Sequence, residues 1–127
     1  MKVKLYFENE KAIAKSGIGK ALEHQKKALS LNKIDFTTNH QCTDYDLLHI
    51  NTTMLNSFFE AKKAKKMNKT IVYHAHSTVE DFRNSFVFSN LLSPFYKQWL
   101  KCLYNFGDVI VTPTEYSKSI LQSYGFK

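Results

Sequence analysis

Cysteine is nearly absent from this chain. Cys42 and Cys102 stand alone, with no CxxC pair and no disulfide framework, which points to a reducing, cytoplasmic setting. Arginine is rarer still: Arg83 is the only one, although the net charge is +7. Proteins that read base edges or clamp phosphates with planar donors favour arginine, and the lysines here do not interleave with an RNP-like aromatic pattern. Nucleic acid is therefore not an expected partner. A lysine-rich surface fits a solvated face or an attraction to anionic lipid headgroups. No apolar run reaches the roughly 18 residues of a spanning helix, and "MKVKLYFENEK" meets acidic residues too soon for a signal peptide. There is also no GxSxG elbow, no Walker lysine and no Cys-His arrangement. No cysteine or carboxylate stands at zinc-like spacing from His74 and His76, so neither a metal nor a cofactor is expected.

What is present alternates. At 127 residues the chain suits one domain, 1–127, with one core. "VKLYF", "KIDFTT", "DYDLLHIN", "TIVYHAH" and "DVIVT" read as strands, and "TIVYHAH" is the near-continuous apolar run of a buried parallel strand. Between them lie helical patterns: Ala21, Leu22, Ala28 and Leu29 in one, Leu55, Phe58, Phe59 and Ala61 in the next. Phe86 to Phe106 is mostly helical by pattern. Glu115 to Tyr124 forms a last helix, with Thr114 as cap and Gly125 as stop. Strands alternating with helices predict an α/β fold, a Rossmann-like parallel sheet with helices on both faces.

In such sheets ligands bind beyond the carboxyl ends of the strands. Those ends carry Glu8 and Asn9, then Ser16-Gly17-Ile18-Gly19; His49 and Asn51; His76, Ser77 and Thr78; and Thr112, Thr114 and Glu115. "SGIGKA" is only part of a GxGxxG fingerprint. Gly17 and Gly19 either let backbone amides face an anion at a helix start or serve a tight turn with positive φ. His76 is expected at the cleft, whereas His74, further inside its strand, reads as a packed histidine.

"YFENEKAIAKSGIGKALEHQKKAL", "DYDLLHIN", "YHAHSTVEDFRNSF" and "VIVTPTEYSKSILQSYG" together resemble the N-terminal half of family 4 retaining glycosyltransferases, nearest the bacterial enzymes that glucosylate diacylglycerol. The resemblance implies the GT-B architecture, in which an N-terminal domain holds the acceptor and a C-terminal domain holds the nucleotide-sugar. It implies hexose transfer, with glucose from UDP-glucose, and no metal. It places His76 at the transferred sugar and the backbone of Ser16, Gly17 and Gly19 near the donor diphosphate. Ser77, Thr114 and Glu115 fall at the substrate, as do His49 and Asn51, which match a frequent His-x-His pair with Asn in second place. The donor domain, with its E-x7-E motif, is absent from these 127 residues, so the chain alone is expected to be inactive. Two alternatives remain at this stage: a non-catalytic Rossmann-like nucleotide or polyanion module, and the same enzyme class acting on a saccharide or protein.

"FVFSNLLSPFYKQWLKCLYNF" carries Leu92, Phe95, Tyr96, Trp99, Leu100, Leu103 and Phe106 on one helical stripe, flanked by Lys97 and Lys101. Most of the stripe should cover the sheet. The aromatic excess near its start exceeds what one face can bury. That part is expected to be exposed near the acceptor opening, with the protein peripheral at the inner membrane face.

Overall fold

The computed structural model describes residues 1–15, 17–76 and 88–126. Five strands form one all-parallel sheet in the order β2-β1-β3-β4-β5. They are β1 (Lys2–Tyr6), β2 (Asp35–Thr37), β3 (Leu47–Ile50), β4 (Thr70–His74) and β5 (Val109–Val111). The described helices are a single turn α1 (Glu10–Ile13), α2 (Gly17–Leu31), α3 (Leu55–Lys66), α4 (Ser89–Tyr104) and α5 (Glu115–Ser123). The Rossmann-like α/β reading is observed.

Strand alternation sends side chains to two different cores. Tyr6, Leu48, Ile50, Ile71 and Tyr73 face α3, α4 and α5, where Ala61, Ala64, Leu100, Leu103, Tyr104 and Leu121 meet them. Val3, Leu5 and Phe7 face the other way, against Leu22 of α2. Register carries this division across the sheet. Leu5 lies beside His49, His49 beside Val72, and Val72 beside Val109, all on the α2 side. Helix α2 covers β1 and β2 but leaves much of this side open further on, so Val109 and Val111 are exposed.

Two polar devices hold the layers together. Lys4 is fully buried on the α3 side; its Nζ donates to Glu60 Oε2 at 2.9 Å, His40 O at 2.7 Å and Cys42 O at 3.1 Å. The second is a remote helix cap. Met54 offers α3 no side-chain acceptor, so its first turn would keep unpaired amides. Glu8, just past β1, supplies the carboxylate: Oε2 accepts from Ser57 N at 3.1 Å and from Ser57 Oγ at 3.3 Å. Thr52 completes the knot, accepting from Glu8 N at 3.0 Å and sharing a 2.8 Å hydrogen bond with Ser57 Oγ. Glu8 therefore reaches the carboxyl edge as its place in the chain implies, yet it is buried and spent on structure.

The long amphipathic segment divides. Leu100, Leu103 and Tyr104 are buried, and Tyr96, Trp99 and Phe106 pack against them. Phe88, Leu91 and Phe95 are 72%, 70% and 73% exposed, so the start of the stripe is left uncovered. Phe86 lies outside the described residues. Pro94 sits in the second turn of α4. It cannot donate to the carbonyl of Asn90, and Ser93 Oγ donates there instead, at 2.9 Å. Lys97, expected beside the stripe, lies 4.7 Å over the Tyr124 ring.

Candidate functional site

The carboxyl ends of β3 and β4 bring together the residues with the most chemistry. His49 is on β3, and His74 ends β4 with His76 two residues later, so all three share the α2 side of the sheet. Their imidazoles stack: His49 and His74 have ring centroids 5.6 Å apart, His74 and His76 4.1 Å, each pair tilted by only 7°. Asn51 and Gln25 close the group. Gln25 Nε2 donates to Asn51 Oδ1 at 2.7 Å and Asn51 Nδ2 donates back to Gln25 Oε1 at 3.1 Å. His76 Nε2 lies 3.1 Å from Asn51 Oδ1, and Gln25 Nε2 lies 3.1 Å from His74 Nδ1.

Burial makes this stack neutral. It pushes His49 down to about 4, with the His74 and His76 rings adding to the effect. Burial likewise pushes His76 down to about 4, with His74 contributing, and it lowers His74 as well. Placing a positive charge on one ring would desolvate it beside its neighbours, so the folded protein resists protonation. His49 Nε2 is enclosed and has no hydrogen-bond partner among the described residues. Neutral imidazoles and amides make a good surface for hydroxyl groups, each offering both donors and acceptors. Among the described residues, no cluster of three His, Cys, Asp or Glu could hold a metal ion.

A family model described as Glycosyltransferase Family 4 matches residues 27–127. This chain belongs to glycosyltransferase family 4. Across 123 residues it is 45% identical to the processive diacylglycerol alpha-glucosyltransferase of Acholeplasma laidlawii, covering 97% of this chain and 36% of that protein. The chain thus spans about a third of the length of this relative. No solved structure gives a significant match.

For a family 4 glycosyltransferase chain, the sites read from the sequence fall into three groups. His49, Asn51 and His76 converge, as above. Gly17 and Gly19 do not form a loop: both lie in the first turn of α2. Among the described residues on the way from β1 to α2 the positive φ belongs to Asn9, at 56°, and Gly125 is the only described glycine with positive φ. A Cβ on Gly17 would have nothing within 4 Å, so no protein neighbour demands glycine there. Gly19 is buried within this first turn, whereas Gly17 is exposed. Thr114 and Glu115 form the start of α5. Thr114 Oγ1 accepts from Ser117 N at 3.1 Å, Glu115 pairs with Lys118 at 3.5 Å, and neither hydrogen-bonds to the histidine cluster. Ser16 and Ser77 lie outside the described residues.

Two residues of the cluster were not among the site residues read from the sequence: His74, read as packed, and Gln25. His74 belongs to neither apolar core; it is half-buried between the other two rings, because its parity in β4 puts it on the α2 side. The i, i+2 spacing of His74 and His76 already puts both on one face of their strand. Gln25 gave no signal, being one polar residue among many on an amphipathic helix.

The depressed histidines predict acid sensitivity. Unfolded histidine binds a proton near 6.5, whereas His49 and His76 in the folded chain do so only near 4. Between those values the unfolded state holds more protons, so their contribution to stability is fully present above pH 6.5 and lost as the pH falls to about 4. Urea midpoints should fall across this window, and His49→Gln should flatten the fall. An unchanged slope in that variant would assign the acid sensitivity to other groups.

Proposed function

We propose that this chain is the acceptor-side half of a retaining hexosyltransferase that moves glucose from UDP-glucose to a lipid hydroxyl such as that of diacylglycerol. The observation that carries the reading is the 45% identity, over 97% of the chain, to a diacylglycerol alpha-glucosyltransferase. An alpha-glucoside made from an alpha-linked nucleotide donor keeps its anomeric configuration, which is the sense of retaining. The neutral His49–His74–His76 stack with Asn51 and Gln25 supports it as a polar surface suited to sugar hydroxyls, at the sheet edge where such ligands sit. In this reading His76 orients the transferred hexose. The N-terminal end of α2, around Gly17, faces the donor diphosphate, as helix N-termini do for anions. In this reading the nucleotide-binding half corresponds to sequence outside the 36% of the relative that this chain covers.

The lipid side of the reading is supported by what α4 and α3 leave uncovered. Phe88, Leu91, Leu92 and Phe95 recur at spacings of three and four at the start of α4, and Met54, Leu55 and Phe59 are exposed at the start of α3. Trp99 joins the two helices, its Nε1 donating to Thr53 O at 2.7 Å. An apolar surface of this kind at a headgroup boundary suits an enzyme that takes its acceptor from a bilayer. Among the described residues no helix is long and apolar enough to cross a membrane, so the association proposed is peripheral.

The test is a chimera joining this chain to the part of the Acholeplasma laidlawii relative beyond the aligned region. It should transfer glucose from UDP-glucose to diacylglycerol in anionic vesicles, while the 127-residue chain alone should transfer none above background. Phe88→Ser with Phe95→Ser should weaken vesicle binding and slow transfer on vesicles, yet leave the rate on detergent-dispersed diacylglycerol unchanged. Transfer to soluble saccharides alone would move the acceptor to that class. Turnover by the 127-residue chain would end the two-half reading.

A further inference from the structure

Gln25 lies two turns into α2 and reaches both β3 and β4. Its amide and that of Asn51 bond reciprocally; the Gln25 nitrogen also meets His74 Nδ1, and the Asn51 oxygen also meets His76 Nε2. The four side chains form one circuit, His74–Gln25–Asn51–His76, whose two ends stack ring on ring at 4.1 Å.

Such a circuit permits few proton arrangements. A neutral imidazole has one donor and one acceptor nitrogen, and an amide has its donors at one end and its acceptor at the other. When Gln25 presents its nitrogen, His74 must accept at Nδ1 and hold its proton on Nε2. Asn51 then presents its oxygen, and His76 must donate from Nε2. Turning both amides over reverses both rings, so that each histidine carries its proton on Nδ1. Any mixture sets two lone pairs or two hydrogens against each other in a half-buried site, where an unsatisfied polar group is costly.

We propose that Gln25 is a positioning residue that couples the proton positions of His74 and His76, so that His76 offers one defined ring nitrogen to a ligand in the cleft. With the Gln25 nitrogen toward His74, that nitrogen is Nδ1, the acceptor of a ring protonated at Nε2 and suited to a hydrogen bond from a hydroxyl. The proposal deepens the glycosyltransferase reading, on which that hydroxyl belongs to the hexose. Gln25 acts without touching His76.

The histidine rings of this 127-residue chain report the coupling directly through long-range ¹H–¹⁵N correlation spectra at pH 7.5, with no donor or acceptor added. His74 and His76 should both be Nε2–H tautomers. Gln25→Glu can only accept, so His74 must donate from Nδ1; the carboxylate accepts from Asn51 Nδ2 in either orientation of that amide, so Asn51 no longer fixes His76, which should become a mixture of tautomers. Gln25→Met offers no N–H, frees the Asn51 amide, and should leave His76 as a mixture of tautomers. Retained shifts for Leu48 and Tyr73, on the opposite face of the sheet, identify folded variants. Opposite tautomers in the unsubstituted chain would overturn the coupling, and that comparison decides even if both variants unfold. A folded Gln25→Glu or Gln25→Met with an unaltered His76 would overturn it too. These spectra involve no turnover, so the proposal can fail while the chimera succeeds, and the reverse.

Discussion

His76→Ala, placed in the active chimera, is expected to lower kcat on the order of 10–1000-fold while leaving the melting transition largely in place, because contacts that orient a reacting group carry several kcal/mol of the barrier. The imidazole is half-buried just beyond the end of β4, and among the described residues it hydrogen-bonds to Asn51 Oδ1. Removing the ring uncovers that oxygen and one face of His74 but opens no hole in either apolar core. The loss should therefore fall on rate rather than on folding. His74→Ala is the comparison. It takes away the middle of the stack and the contact to Gln25, so both stability and rate should suffer. If His76→Ala kept full rate, the hexose would have to be oriented by other groups, and His76 would be a structural member of the stack.

Lys4→Ala should cost roughly 3–5 kcal/mol of stability, as expected when one member of a buried ion pair is removed and the other stays behind. The Lys4 side chain is fully buried and that of Glu60 is only 17% exposed, so the abandoned carboxylate cannot easily recover water. Two carbonyls, those of His40 and Cys42, lose their donor at the same time, and with it the tie that holds the β2–β3 connection against the sheet. Faster proteolysis between residues 38 and 46 should accompany the drop in the urea midpoint. Lys4→Met combined with Glu60→Leu should recover most of the loss, since apolar residues of similar size remove both charges and keep the volume. A loss under about 1 kcal/mol for Lys4→Ala would mean that water reaches the pair and screens it.

The acceptor-side reading also bears on the open face of the sheet. Helix α2 covers β1 and β2, and the sheet face beyond His49 is lined by Val72, Val109 and Val111, of which Val109 is 51% exposed. The histidine stack lies at the border between covered and open sheet. That placement explains how three imidazoles can be desolvated enough to stay neutral and still leave His76 within reach of a ligand.

The sequence by itself determined what is written over short distances. Five β-rich runs and the helical periods between them specified a parallel α/β layer. Thr114 and Gly125 marked the limits of the last helix, and the observed cap at Ser117 N and φ of 97° at Gly125 agree. The quoted motifs carried the family, and their order along the chain placed His49, Asn51 and His76 at one edge. Each of these follows from interactions within a few residues, or from a rule about where parallel strands end. The tertiary structure alone decided which polar groups are spent and which are free. Gln25 meets partners 26 and 49 residues away, Lys4 finds Glu60 56 residues on, and Glu8 caps a helix that begins 47 residues later. It also divided one regular stripe on α4 into a buried half and an exposed half. Periodicity tells which face of an element is apolar; only the packing of distant elements tells how much of that face there is something to cover.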